Sequence, residues 1–102
     1  MKIIIRQHVQ LKNFSDGHYS IIREFDSGVK PSKGEEYYDS LFEASQGREI
    51  KGVALDYENN TCYVRLESEI LSSKSKQDLQ AYVESAKTYG WKVLAMEEKD
   101  IG

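Results

Sequence analysis

The side chains able to do chemistry are few: one cysteine, Cys62, two histidines, His8 and His18, and a short run of carboxylates, Glu35, Glu36, Asp39 and Glu43. A thiol beside an imidazole base would make a nucleophile. Cys62, however, alternates with Val64 and Leu66 in "TCYVRLE", which places it on a buried strand face where desolvation raises a thiol pKa and silences it. Two histidines without close Cys or His spacing do not assemble the three or four ligands of a metal centre. Both are expected at the surface, and no metal or cofactor is expected. The carboxylates could divide into a general acid and base only if burial separated their pKa values; a solvated face is the simpler expectation.

The stretch "DSGVKPSKGEEYYDSLF", Asp26 to Phe42, is glycine-bracketed and carries two lysines. A phosphate loop needs Gly, then Lys, then Ser or Thr, whereas here the order is Ser32, Lys33, Gly34 with no hydroxyl following. Glu35, Glu36 and Asp39 would occupy the start of any helix there and repel an anion from its amides. The stretch is read as a connection.

The elements that would position these groups follow from periodicity. Ile3, Ile5, Val9 and Leu11 alternate with polar residues, and "HYSIIREF" alternates again after the turn-rich "NFSDG", giving a hairpin. Setting Leu11 opposite Tyr19 pairs Val9 with Ile21, Ile5 with Phe25 and Arg6 with Glu24, and leaves Gln7 opposite Arg23 as two polar groups on an apolar face. A bulge turning them outward is the simpler account; a buried polar site at Gln7 and Arg23 is the alternative. Glu35 to Gln46 predicts a short helix with Tyr38, Leu41, Phe42 and Ser45 on one stripe and Gly47 as its stop. "IKGVALDY" and "TCYVRLE" flank Asn59 and Asn60, a two-residue turn that sets Tyr57 against Cys62, Leu55 against Val64 and Val53 against Leu66. Ser75 and Asp78 resemble a capping box before the stripe Leu79, Tyr82, Val83 and Ala86, closed by Gly90. "WKVLAM" is apolar on both faces and predicts a central strand.

The order β-β-α-β-β-α-β makes residues 1–102 a single compact domain of the α+β class, a mainly antiparallel five-stranded sheet with two helices packed on it. A chain of 102 residues can bury its own core. With 14 Lys and Arg against 17 Asp and Glu, a net charge of -3 disfavours a broad nucleic-acid face. The single cysteine and the absence of a signal-like or membrane-length apolar run point to the cytoplasm and away from a membrane.

With no catalytic constellation in view, the functional expectation is a small non-catalytic intracellular protein, a protein-interaction or regulatory module of host or phage that docks on another protein or on itself. Its predicted surface is the outer face of the second hairpin, Asp56, Tyr63 and Arg65, beside the small residues Gly52 and Ala54. One alternative is a nucleic-acid-binding domain using sheet-surface aromatics with Arg6, Lys12, Arg65 and Lys92. The other is an enzyme whose cleft gathers Gln7, Arg23 and Asp39.

Overall fold

The computed structural model describes residues 1–13, 17–39, 41–42, 47–71 and 75–94. They form β1 (Lys2–Leu11), β2 (His18–Asp26), β3 (Glu36–Tyr37), β4 (Arg48–Asp56), β5 (Thr61–Leu66), β6 (Glu69–Leu71), α1 (Lys76–Thr88) and β7 (Lys92–Val93). The strands make one sheet, ordered β3-β4-β5-β1-β2-β7 with β6 also on β1, curled into a half-barrel. The expected five-stranded, mainly antiparallel sheet with two helices is corrected on each count. Among the described residues seven strands and one helix, α1, are present, and β1 runs parallel to both β5 and β6.

The missing helix is the one expected over Glu35 to Gln46, of which 40 and 43–46 lie outside the described residues. Its first half is extended. The Gly34 amide donates to the Ile50 carbonyl at 2.8 Å, the Ile50 amide donates to the Glu35 carbonyl at 2.8 Å, and β3 continues the pairing against Arg48 and Glu49. Consecutive tyrosines suit a pleated, half-buried surface better than a helix, and here they divide between the two sides of the chain. Tyr37 is half-buried, whereas Tyr38, expected in the core, is 58% exposed.

One face of the sheet is closed. Ile3, Ile5, Val9 and Leu11 of β1, Ile21 of β2, Ile50 of β4 and Cys62, Val64 and Leu66 of β5 are buried with Leu79, Val83 and Ala86 of α1. Each large aliphatic side chain so buried stabilises the fold by about 1.5 to 3 kcal/mol. The helix begins where the sequence placed it: the Ser75 hydroxyl accepts from the Gln77 amide at 3.1 Å. It ends in a Schellman turn, with Gly90 at φ +92°, the Trp91 amide donating to the Ala86 carbonyl and the Gly90 amide to that of Lys87. That turn drives Trp91 into the core, 3% exposed. The strand after it is short and lies at the edge beside β2, not centrally as expected; residues 95–96 of the expected strand lie outside the described residues.

Both hairpins pair two residues away from the expected register. In the first, Val9 faces Tyr19, Gln7 faces Ile21 and Ile5 faces Arg23. In the second, Leu55 faces Cys62 and Val53 faces Val64. A slip of two keeps every side chain on its face, so alternation alone cannot detect it; the turn decides. The second turn is not a two-residue Asn-Asn turn. The Asp56 carboxylate accepts from the Asn59 amide at 3.1 Å and from its side chain at 2.8 Å, while Asn60 takes φ +51°. Tyr57 thereby joins the turn and is 82% exposed instead of entering the core.

Gln7 is fully buried, and no register shift marks the pairing of β1 with β2, so the expected bulge is absent. The reason is the break between β5, which covers Lys2 to Arg6, and β6, which covers Val9 to Leu11. In that gap the Gln7 side-chain amide donates to the Glu67 carbonyl at 2.6 Å and to the His8 carbonyl at 2.9 Å. It substitutes for missing ladder bonds, as buried carbonyls require. Gln7→Leu removes this donor and should cost about 1 to 3 kcal/mol in urea unfolding; an unchanged midpoint would show that the gap needs no donor.

Candidate functional site

Two clefts bear on function, and the first contains Asp39. Asp39 follows β3, where the chain turns under the sheet, and its side chain is 1% exposed. Its Oδ2 accepts from Arg23 at 2.5 Å and from the Tyr37 hydroxyl at 2.7 Å. Its Oδ1 accepts from the Leu41 amide at 3.0 Å and from the Trp91 indole at 3.1 Å. Burial alone would raise the Asp39 pKa. The Leu41, Tyr37 and Trp91 donors and the Arg23 charge outweigh it, holding the carboxyl below the ordinary value. Burial and the Asp39 carboxylate together push the Tyr37 hydroxyl well up. Around this anchor Tyr37, Phe42 and Trp91 meet edge-on or tilted, with centroids 6.2 to 6.5 Å apart, and the Arg48 guanidinium lies 4.4 Å from the Phe42 centroid while pairing with Glu69 at 2.7 Å.

The structure thus brings together Arg23 and Asp39, two of the three residues of the enzyme alternative, in a cleft of about 340 Å³ that includes Phe25 and Tyr38. Gln7 is elsewhere, engaged with Glu67 and His8. A general base needs a free lone pair and a pKa near the working pH. Asp39 has four donors and a depressed pKa, the arrangement of a structural anchor.

The second cleft lies on the opposite face of the sheet, away from α1. Strand register puts Gly52, Arg65, Arg6, Ile22 and Lys92 in one row across β4, β5, β1, β2 and β7, with Ala54, Tyr63, Ile4 and Glu24 in the next. Except for Lys92 and Glu24, the residues of these two rows line a groove of about 590 Å³, floored mainly by Ile4, Ile22, Ala54 and Tyr63 and bordered by Arg6 and Arg65. Tyr63 is 47% exposed. The Arg65 side chain stands directly over Gly52, where an added Cβ would come within 3.1 Å of its guanidinium. Among the described residues its side chain donates a long hydrogen bond, 3.5 Å, to the Lys51 carbonyl.

Of the surface predicted from sequence, Tyr63 and Arg65 line this groove. Asp56 does not: it faces Thr61, not Tyr63, and its carboxylate serves the turn, hydrogen bonds from Asn59 lowering its pKa. Ile4, Arg6 and Ile22 complete the groove; Ile4 and Ile22 were legible only as outward members of alternating strands. Lys12 lies past the end of β1. Cys62 is fully buried, and burial pushes its thiol up. His18, expected at the surface, is buried, its ring 5.5 Å from that of half-buried His8. The Ser32–Glu35 segment closes on itself, the Glu35 carboxylate accepting from the Ser32 amide at 2.7 Å; Glu43 lies outside the described residues. Among the described residues no cluster of His, Cys, Asp or Glu could hold a metal ion, and no helix is long and apolar enough to cross a membrane.

Compared with known proteins, the chain matches no family model, no curated protein and no solved structure.

Because the folded pKa of Asp39 is depressed, its contribution is complete above the unfolded Asp pKa of about 3.9 and is lost as pH falls through the folded value. Asp39→Asn should therefore cost about 2 to 3 kcal/mol at pH 7, with the gap to the parent narrowing below about pH 4. Urea unfolding across pH checks this, and a pH-independent gap would contradict it.

Proposed function

We propose that the chain is a non-catalytic protein-docking module that works through the outer face of its sheet. The observation that carries this reading is the groove over Ile4, Ile22, Ala54 and Tyr63 with Arg6 and Arg65 at its border. An apolar floor with an aromatic and arginines beside it has the composition of an interface centre. The floor contributes little to the core, which lies on the other face with α1. A surface groove of this kind has no stabilising role that explains it. The satisfied, low-pKa Asp39 cluster supports a binding role over a catalytic one.

A second reading, single-stranded nucleic acid, draws on the row Arg65, Arg6, Lys92 beside Tyr63, since cations flanking an aromatic suit phosphates and a stacked base. Against it, Glu24, Asp26 and Asp56 share the same face, Glu24 paired with Lys2 at 4.0 Å, and Tyr63 is the one aromatic among the described residues of the two rows that hold the groove.

The test is affinity capture from source-cell lysate, with and without nuclease, comparing the parent with a folded Tyr63→Ala, Arg65→Glu double variant. A stoichiometric protein that survives nuclease and is lost with the double variant is the expected result. Equal retention by both chains removes the outer face, and nuclease-sensitive retention gives the site to nucleic acid.

A further inference from the structure

The border of the groove suggests what kind of partner it receives. β4 is a nine-residue strand whose other side is paired by β5. On its outer edge β3 and the preceding residues pair only Arg48 to Ile50. From Lys51 to Asp56 that edge has no strand partner among the described residues. Free edges are templates for added strands, and proteins ordinarily blunt them with lysines, prolines or bulges. Here a register irregularity lies between Ile50 and Gly52, but "GVAL" beyond it carries neither charge nor proline. The small residues of this segment, Gly52 and Ala54, line the groove itself, so free edge and groove are continuous.

We propose, building on the docking reading above, that the partner is an extended acidic protein segment that adds as a strand to the Lys51–Asp56 edge of β4. Its backbone bonds to the open edge, an apolar side chain lies over Gly52 and Ala54 toward Tyr63, and a carboxylate meets Arg65. Three observations converge on this occupant. An extended polypeptide matches the alternating donors and acceptors of a strand edge, with pockets for alternate side chains adding specificity. No carboxylate among the described residues pairs with Arg65, and its position above a glycine leaves the planar guanidinium facing the groove for bidentate contact. Asp26 and Asp56, with Glu24 paired to Lys2 at 4.0 Å, interrupt the cations of this face, so it offers one carboxylate contact at Arg65 rather than a continuous run of cations for a phosphate chain.

The test is a titration of the isotopically labelled chain, followed by NMR, with three hexapeptides: one alternating leucine and glutamate, one alternating leucine and glutamine, and the acidic one N-methylated at alternate amides. The acidic peptide should give saturating shifts in the amides of Lys51 to Asp56 and of Arg65. The glutamine peptide should bind about tenfold more weakly, the loss of one charge-assisted contact, and the N-methylated one should lose binding. Arg65→Gln should remove the preference for glutamate over glutamine while leaving the β4 shifts in place. Equal binding of the acidic and glutamine peptides overturns the carboxylate assignment. Equal binding of the N-methylated peptide overturns strand addition. Shifts on another face, or tighter saturation of these residues by a short oligothymidylate, overturns the proposal as a whole. The docking reading itself is judged by the capture comparison, which uses no peptide, so the two can fail separately.

Discussion

A single buried carboxylate holds together the parts of this fold that the sheet ladder does not. Asp39 accepts from β2 through Arg23, from its own segment through Tyr37 and Leu41, and from the chain after α1 through Trp91. Arg23 and Trp91 are far from Asp39 in sequence and arrive by different elements, while Tyr37 and Leu41 come from beside it. A carboxylate removed from water is tolerable only when its lone pairs are filled and its charge is matched, so the carboxylate determines where all three elements must meet. The Schellman turn at Gly90 aims Trp91 at it, and β7 follows directly, which is why a strand apolar enough to be central ends as a short edge beside β2.

That constraint also divides the molecule into two sides. Helix α1, the segment around Asp39 and the aromatic group of Tyr37, Phe42 and Trp91 all close one face of the sheet. Around Ile4, Tyr63 and Arg65 the other face keeps an open apolar groove. An apolar floor, a guanidinium with no carboxylate partner among the described residues and a β4 edge with no strand partner among them are each departures from what stability alone would favour, and they occur together. Local rules broken in one place, with the rest of the fold consistent, are what the proposed docking role rests on.

The parts of this architecture legible in the sequence were those fixed by short-range chemistry. Ser75 and Gly90 announce α1 because capping depends on a few neighbouring atoms, and the alternation of Cys62, Val64 and Leu66 reveals a buried strand face because the pleat has a period of two. The hairpin registers were not legible, since a slip of two residues preserves every face and the deciding bonds, from Asn59 to Asp56, are made by a turn. The role of Glu36 and Tyr37 depends on β4, a partner more than ten residues away. Likewise, the parallel pairing of β1 with β5 and β6 has no local signature. Gln7 stood out as a polar residue on an apolar face, but its purpose is intelligible only once β5 and β6 are known to leave a gap beside it. In the groove, Tyr63 and Arg65 were visible as outward residues of one hairpin, whereas Ile4, Arg6 and Ile22 join them only through that long-range pairing.

The central claim is that the outer face is occupied by another protein, and site-specific photo-crosslinking in the source cell tests it most directly. A benzophenone side chain placed at position 63, on the groove floor, is compared with one at the exposed helix position 80. The account predicts a discrete protein adduct from position 63 and none from position 80. The same adducts from both positions, or none from position 63, would contradict it.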